Sequence, residues 1–324
     1  MIKVRNILIG NGFNIEIGSM DYSNAAIIKR MHKNIRYKDY GRHFDYKVNA
    51  KDLEDIINEI EGNILKDTLS GKYNHLCQRD DEISNLNRFI KNYDPMQSIG
   101  MEDYFLLLRL FHHFYNDSED MIRNIAIGLQ KLLLDAIYNE GNLQNLHRIV
   151  SEERKKELYN VLNRFNNIFT VNYDWNIEKI SKRDVKHLHG QFDCLNPQFK
   201  PGTTLNVIAT LRGITYTGSK EDSHLFCNAI MGFSGALKKE IINNFINLEA
   251  DKDEYPIQEF KNLTGTLCMA GISPNNDDHI MKLIFENEEI NKVIFYYYSK
   301  KDKECAEALY KNQGIICKPV SELW

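Results

Sequence analysis

The 324-residue chain has only 6 prolines and 2 tryptophans, and no run of about 18 apolar residues. The last absence argues against a membrane-spanning helix. Its six cysteines (Cys77, Cys194, Cys227, Cys268, Cys305 and Cys317) are scattered, and no CxxC pair occurs. Neither a disulfide framework nor a cysteine zinc module is expected from such spacing. Excess positive charge is also missing: 41 Lys and Arg stand against 45 Asp and Glu, a net charge of −4. A chain of this balance has no global field for nucleic acid or anionic membranes, so direct nucleic-acid binding is not supported. The opening residues lack the long apolar core and small-residue cleavage site of a secretory signal. A cytoplasmic protein is the expectation. Hydrophobic residues, at 43% of the chain, suffice for a core.

Short apolar runs end abruptly at glycine or polar residues. They cover 6–9, 167–171, 184–189, 205–210, 265–270, 291–298 and 314–317, and each reads as a buried strand. Helical spacing separates several of them: Ile280, Leu283 and Ile284 within 277–286, and Ala306, Leu309 and Tyr310 within 303–310. Strands alternating with helices predict an α/β fold, a Rossmann-like, mostly parallel sheet with helices on both faces. Between the first two strands, Leu53, Ile56, Ile57, Ile60 and Ile64 recur at helical spacing. So do Ile122, Ile125, Leu129, Leu132 and Leu133, and Leu158 and Leu162 follow a candidate N-cap at Ser151. The expected division is a core of 1–45 and 165–324, with a helical insertion over 46–164. A further helix is expected over 237–248, before the polar turn 251–254.

Ligands of such sheets lie beyond the carboxyl ends of the strands, and four polar motifs fall there. Gly10-Asn11-Gly12-Phe13-Asn14 follows the first strand. Its glycines permit positive φ or close approach of a diphosphate to main-chain N–H groups, and equally a plain tight turn. Asn172 and Asp174 follow the second strand and suit either a ribose hydroxyl or water, or an Asx turn. His187-Leu188-His189-Gly190 places two imidazoles on one strand face. That pair is open to a general base, zinc or a core hydrogen bond, although no third metal ligand follows at recognisable spacing. His112 and His113 sit within a helical pattern and read as structural. Finally, Gly271-Ile272-Ser273 opens a segment in which Ser273 can meet a nucleotide, while Asp277 or Asp278 caps a helix.

In this order, GNGFNIEIG, FTVNYDWNIE, HLHGQF, AIMGF and MAGISPNNDDHI resemble the silent information regulator 2 (sirtuin)-like family. The resemblance is strongest to its bacterial antiphage-defence branch, the abortive-infection H-like and Thoeris-type NAD-cleaving proteins. It spans roughly 1–20, 165–235 and 264–317. It implies NAD+ as substrate, hydrolysed to ADP-ribose and nicotinamide, with NAD+ depletion as the defence. It further implies His189 as catalytic base and Asn172 as the residue positioning ribose and water. Gly10, Asn11, Gly12, Phe13, Asp174, Gly271 and Ser273 would then line the dinucleotide. Protein-deacylating sirtuins carry a zinc module of paired cysteines; its absence here favours NAD+ hydrolysis over deacylation, and no metal is expected. No second nucleotide-sensing domain is expected after the sheet, so the trigger is expected from a partner defence protein, a phage component or a homo-oligomer. Two other readings compete: a non-catalytic NAD or ADP-ribose binding module in a defence complex, and a metal-dependent hydrolase using His187, His189 and nearby acids.

Overall fold

The computed structural model describes residues 4–40, 48–77, 80–96, 98–115, 118–192, 224, 225, 227, 256–274 and 276–324. The chain divides into two compact units, one of residues 1–22, 141–192 and 239–324, the other of 23–140 and 193–238.

The first unit contains β1 (Arg5–Ile9), β2 (Asn167–Thr170), β3 (Lys186–His187), β4 (Gly265–Ala270), β5 (Ile290–Tyr297) and β6 (Ile316–Pro319). They form one sheet in the order β3-β2-β1-β4-β5-β6, and every adjacent pair is parallel. This is the doubly wound order of a Rossmann-like α/β fold. The chain builds outward from β1 to β3, then returns to start β4 on the other side of β1. The reversal sets the carboxyl ends of β1 and β4 side by side.

Strand side chains alternate between faces, and the core records this. Ile7, Ile9, Ile168, Cys268, Ala270, Ile294 and Tyr296 enter one apolar layer, closed by Leu158, Val161 and Leu162 of the helix Glu152–Leu162 and by Ile177 and Ile180 of Asn176–Ser181. Leu8, Phe169, Leu267, Met269, Val293 and Phe295 enter the opposite layer. That layer is closed by the helices Pro256–Lys261, Asp278–Glu286 and Lys300–Tyr310. Burying each large apolar side chain contributes roughly 1.5–3 kcal/mol, so both faces of the sheet are committed to the core. Only its ends remain for chemistry.

The second unit is helical among its described residues, with Asn24–Tyr37, Ala50–Glu59, Leu65–Leu69, Asp80–Asn92, Asp103–Tyr115 and Glu119–Tyr138. Ala50–Glu59 runs into a π-turn, Ile60–Ile64, before Leu65–Leu69. The wider turn keeps Leu53, Ile57, Ile60 and Ile64 all buried. Asp135 is a polar hub of this unit: it accepts hydrogen bonds from Asn34, Lys38, Tyr40 and His224.

Several expectations shift. The helical unit begins at 23 rather than 46 and its first stretch ends at 140 rather than 164, because the helix Glu152–Leu162 spends its apolar face on the sheet. Ser151 caps that helix as expected, accepting from the Arg154 N–H at 3.2 Å. The strand expected over 184–189 contracts to Lys186–His187. Leu188 still donates to the Thr170 carbonyl, but β2 ends there and no partner strand is left to pair. Leu309, expected to pack, is exposed, and Ala306 is the buried residue of its helix. The expected strand 205–210, helix 237–248, turn 251–254 and the AIMGF segment 229–233 lie outside the described residues. Among those described, no helix is long and apolar enough to cross a membrane.

Candidate functional site

At the end of β1 the chain turns through Gly10-Asn11-Gly12 directly against the turn that follows β4. The Gly10 N–H donates to the Ala270 carbonyl at 2.9 Å, and the Gly12 N–H to the Gly271 carbonyl at 3.1 Å. A Cβ on Gly10 would lie 2.3 Å from the Gly271 oxygen, and one on Gly12 would lie 2.6 Å from the Gly271 Cα. Gly271 itself holds φ +69°, the left-handed region that glycine tolerates. The glycines therefore let two backbone turns touch. Their amides are not offered to a diphosphate, since those of Gly10, Gly12 and Phe13 all end on main-chain carbonyls. Phe13 lies fully buried in the sheet's core with its ring edge-on to Trp324. Asn11 donates through its carboxamide to the Tyr22 carbonyl at 2.8 Å.

Past β2, Thr170 Oγ1 donates to the Ile9 carbonyl and accepts from the Asn172 N–H. Asn172 is buried, and its Nδ2 donates to the Gly10 carbonyl at 3.3 Å. Asp174 faces inward, accepting from Asn14 Nδ2 at 2.7 Å and from the Asn176 N–H and Nδ2 at 2.9 and 2.6 Å. Burial pushes the Asp174 carboxyl above its ordinary range, and the bonds from Asn176 and Asn14 offset this only in part. Its position makes it a brace for the Asn172 loop.

His187 of β3 and His189 just past it part company instead of sharing one face. His187 Nδ1 donates to the Asn172 carbonyl at 2.7 Å, and Nε2 meets the Glu178 carboxylate at 2.6 Å. Burial lowers the His187 pKa, but the hydrogen bond and charge of Glu178 outweigh it, and the net shift is upward. Both ring nitrogens are engaged, so His187 is a clamp on the Asn172 loop and is excluded as a metal ligand in this arrangement. His189 lies beyond the strand, before Gly190, which turns at φ +75°. Its Nε2 is 2.9 Å from Nε2 of His279, with the two rings inclined by 21°. Both side chains are buried.

His279 belongs to the first turn of the helix Asp278–Glu286. The preceding loop is closed by Ser273, whose N–H donates to Asp277 Oδ2 at 3.2 Å and whose carbonyl accepts from the Asp277 N–H at 2.9 Å. Asp277 occupies the N-cap position, yet its carboxylate makes no capping bond to the helix; it turns back to Ser273 instead. Ser273 is exposed. His189, Asp277 and His279 each offer a ligating atom, all within 4.8 Å of one another.

Four segments far apart in sequence therefore meet at the strand ends: Gly10–Gly12 on Asn172, the same turn on Gly271, His187 on Asn172, and His189 on His279. The residues that sequence reasoning missed are Asn14, Glu178 and His279. Asn14 and His279 stand inside the recognised motifs, but their partners lie 160 and 90 residues away, and no local spacing announces such pairs. His112 and His113 sit on the helix Asp103–Tyr115 of the helical unit. No protein-family model and no curated protein matches the chain.

Proposed function

We propose that the chain is a sirtuin-like NAD+ glycohydrolase, cleaving the nicotinamide–ribose bond to give ADP-ribose and nicotinamide. The observation that carries this reading is the junction at the ends of β1 to β4, where Asn172 bonds to the first glycine turn, that turn packs on Gly271, His187 clamps the Asn172 loop, and His189, two residues on, meets His279. In a Rossmann-like sheet that rim is where a dinucleotide binds.

In this reading Asn172, with Nδ2 fixed on Gly10, presents its Oδ1 to a ribose hydroxyl, and Asp174 and His187 hold the loop that carries it. As the C1′–N bond breaks, its electron pair leaves with nicotinamide and neutralises the pyridinium. Positive character develops on the ribose, and fixed dipoles around the sugar favour that distribution. His189 withdraws proton density from a ribose hydroxyl, acting as a neutral imidazole. Water then adds to C1′ and releases one proton. Gly10, Asn11, Gly12, Phe13 and Gly271 shape the floor of the site, and the exposed Ser273 faces the adenosine end. The diphosphate draws on donors other than the amides of Gly10, Gly12 and Phe13, which are already committed.

The biological setting belongs to the same proposal: a cytoplasmic effector of antiphage defence acting by NAD+ depletion. It works as a homo-oligomer and is triggered by a partner defence protein or a phage-derived activator. The test is chromatography of NAD+ incubated with the purified chain. Nicotinamide release is expected, falling by about 100-fold or more in His189→Ala and in Asn172→Ala, within the range for losing an acid–base group. Full activity in both variants would contradict the site. Calorimetric binding of NAD+ or ADP-ribose with no turnover would instead identify a non-catalytic binding module.

A further inference from the structure

We propose that His189, Asp277 and His279 form a binding site for a divalent transition-metal ion of the zinc type. Two imidazoles and one carboxylate are a donor set that suits borderline divalent ions. The atoms are gathered tightly enough, all three within 4.8 Å of one another. The two imidazole nitrogens stand 2.9 Å apart. Nitrogens sharing a tetrahedral ion at about 2.0–2.1 Å would stand roughly 3.3 Å apart, so a small opening of the pair admits one.

The surroundings are those of a prepared site. Both rings are buried, and their two Nε2 atoms already face one another. The Asp277 carboxylate is oriented by the Ser273 N–H at 3.2 Å, the kind of outer contact that fixes a metal ligand. Asp277 is partly exposed between exposed Asn276 and Asp278, which gives an ion a route from solvent. Two neutral imidazoles and a carboxylate around a divalent ion leave one net positive charge and room for water or another oxygen ligand. Sequence spacing hides this set, because its parts come from β3's end and from the loop after β4, some 90 residues on.

The site also deepens the NAD+ reading. An ion held by His189 takes up a ring lone pair that the proposed ribose chemistry requires, so loading the site inhibits hydrolysis. This consequence rests on that reading; the metal site does not.

The direct test is equilibrium dialysis of the full chain, stripped with EDTA, against zinc chloride, with cobalt(II) absorption as a second readout of nitrogen ligation. One ion per chain is expected. At least a tenfold loss of affinity is expected in His279→Gln and in Asp277→Asn, each checked for an unchanged circular dichroism spectrum. Zinc should raise the melting temperature of the parent protein and not that of the variants. Absent zinc binding, or binding equally tight in both variants, would overturn the site. In the parallel assay, zinc should suppress nicotinamide release in step with occupancy. Zinc bound while the stripped protein leaves NAD+ untouched upholds the metal site and counts only against the hydrolase.

Discussion

Gly12 and Gly10 have no room for a methyl group, because the backbone of Gly271 fills the place where it would go. Gly12→Ala should therefore cost roughly 1–3 kcal/mol, the usual range for overpacking a tight site, seen as a lower midpoint in urea unfolding. An unchanged midpoint would show that the two turns move apart freely. From sequence the same glycines read equally as a diphosphate cradle or a tight turn. The contact that decides their role joins residues about 260 positions apart and has no local signature. Asp135 makes a second case at this scale. Burial raises its pKa, but His224, Tyr40 and Lys38 outweigh burial and hold it near 2, against an ordinary 3.8. A depressed carboxyl stabilises the fold above its unfolded pKa and loses that contribution as pH falls through the folded one. Asp135→Asn should thus lower stability by about 2 kcal/mol at pH 7. The gap between variant and parent should close as pH falls from about 4 toward 2, as read by unfolding at each pH; a gap independent of pH would contradict the assignment.

At the scale of elements, the short continuous apolar run was legible where a strand is buried on both faces, and β4 matches its expected bounds residue for residue. β3 was not, since its length is set by where β2 stops and not by its own composition. The serine cap at Ser151 was readable, whereas those at Ser23, Ser118 and Ser299 were not marked. Ser299 completes a capping box with Asp302 on the helix Lys300–Tyr310, which begins three residues before its expected start. Ser299→Ala should cost about 1 kcal/mol and lower the melting temperature by roughly 2–4 °C. A shift below half a degree would show that the box contributes nothing. Asp277 shows the limit of such reasoning. Its position is that of a cap, yet its carboxylate serves the Ser273 loop, a choice made by the fold of the loop and not by the helix.

At the scale of the whole molecule, the parallel sheet and the presence of a helical unit followed from the sequence, but the division between them did not. Leu158, Val161 and Leu162 look like any helical stripe until the sheet they cover is in place. The site was legible in part: Asn172, the glycine turns and the His187–His189 pair were all marked, while His279, which contacts His189, was not. The claim that unites these observations is that the rim of β1 to β4 breaks the nicotinamide–ribose bond. The most direct measurement is a single-turnover proton NMR time course, with the protein in excess over NAD+, so that slow untriggered chemistry is still visible. Equimolar nicotinamide and ADP-ribose should appear with the parent protein and not with His189→Ala. NAD+ left intact by the parent protein, or cleaved as fast by the variant, would contradict the account.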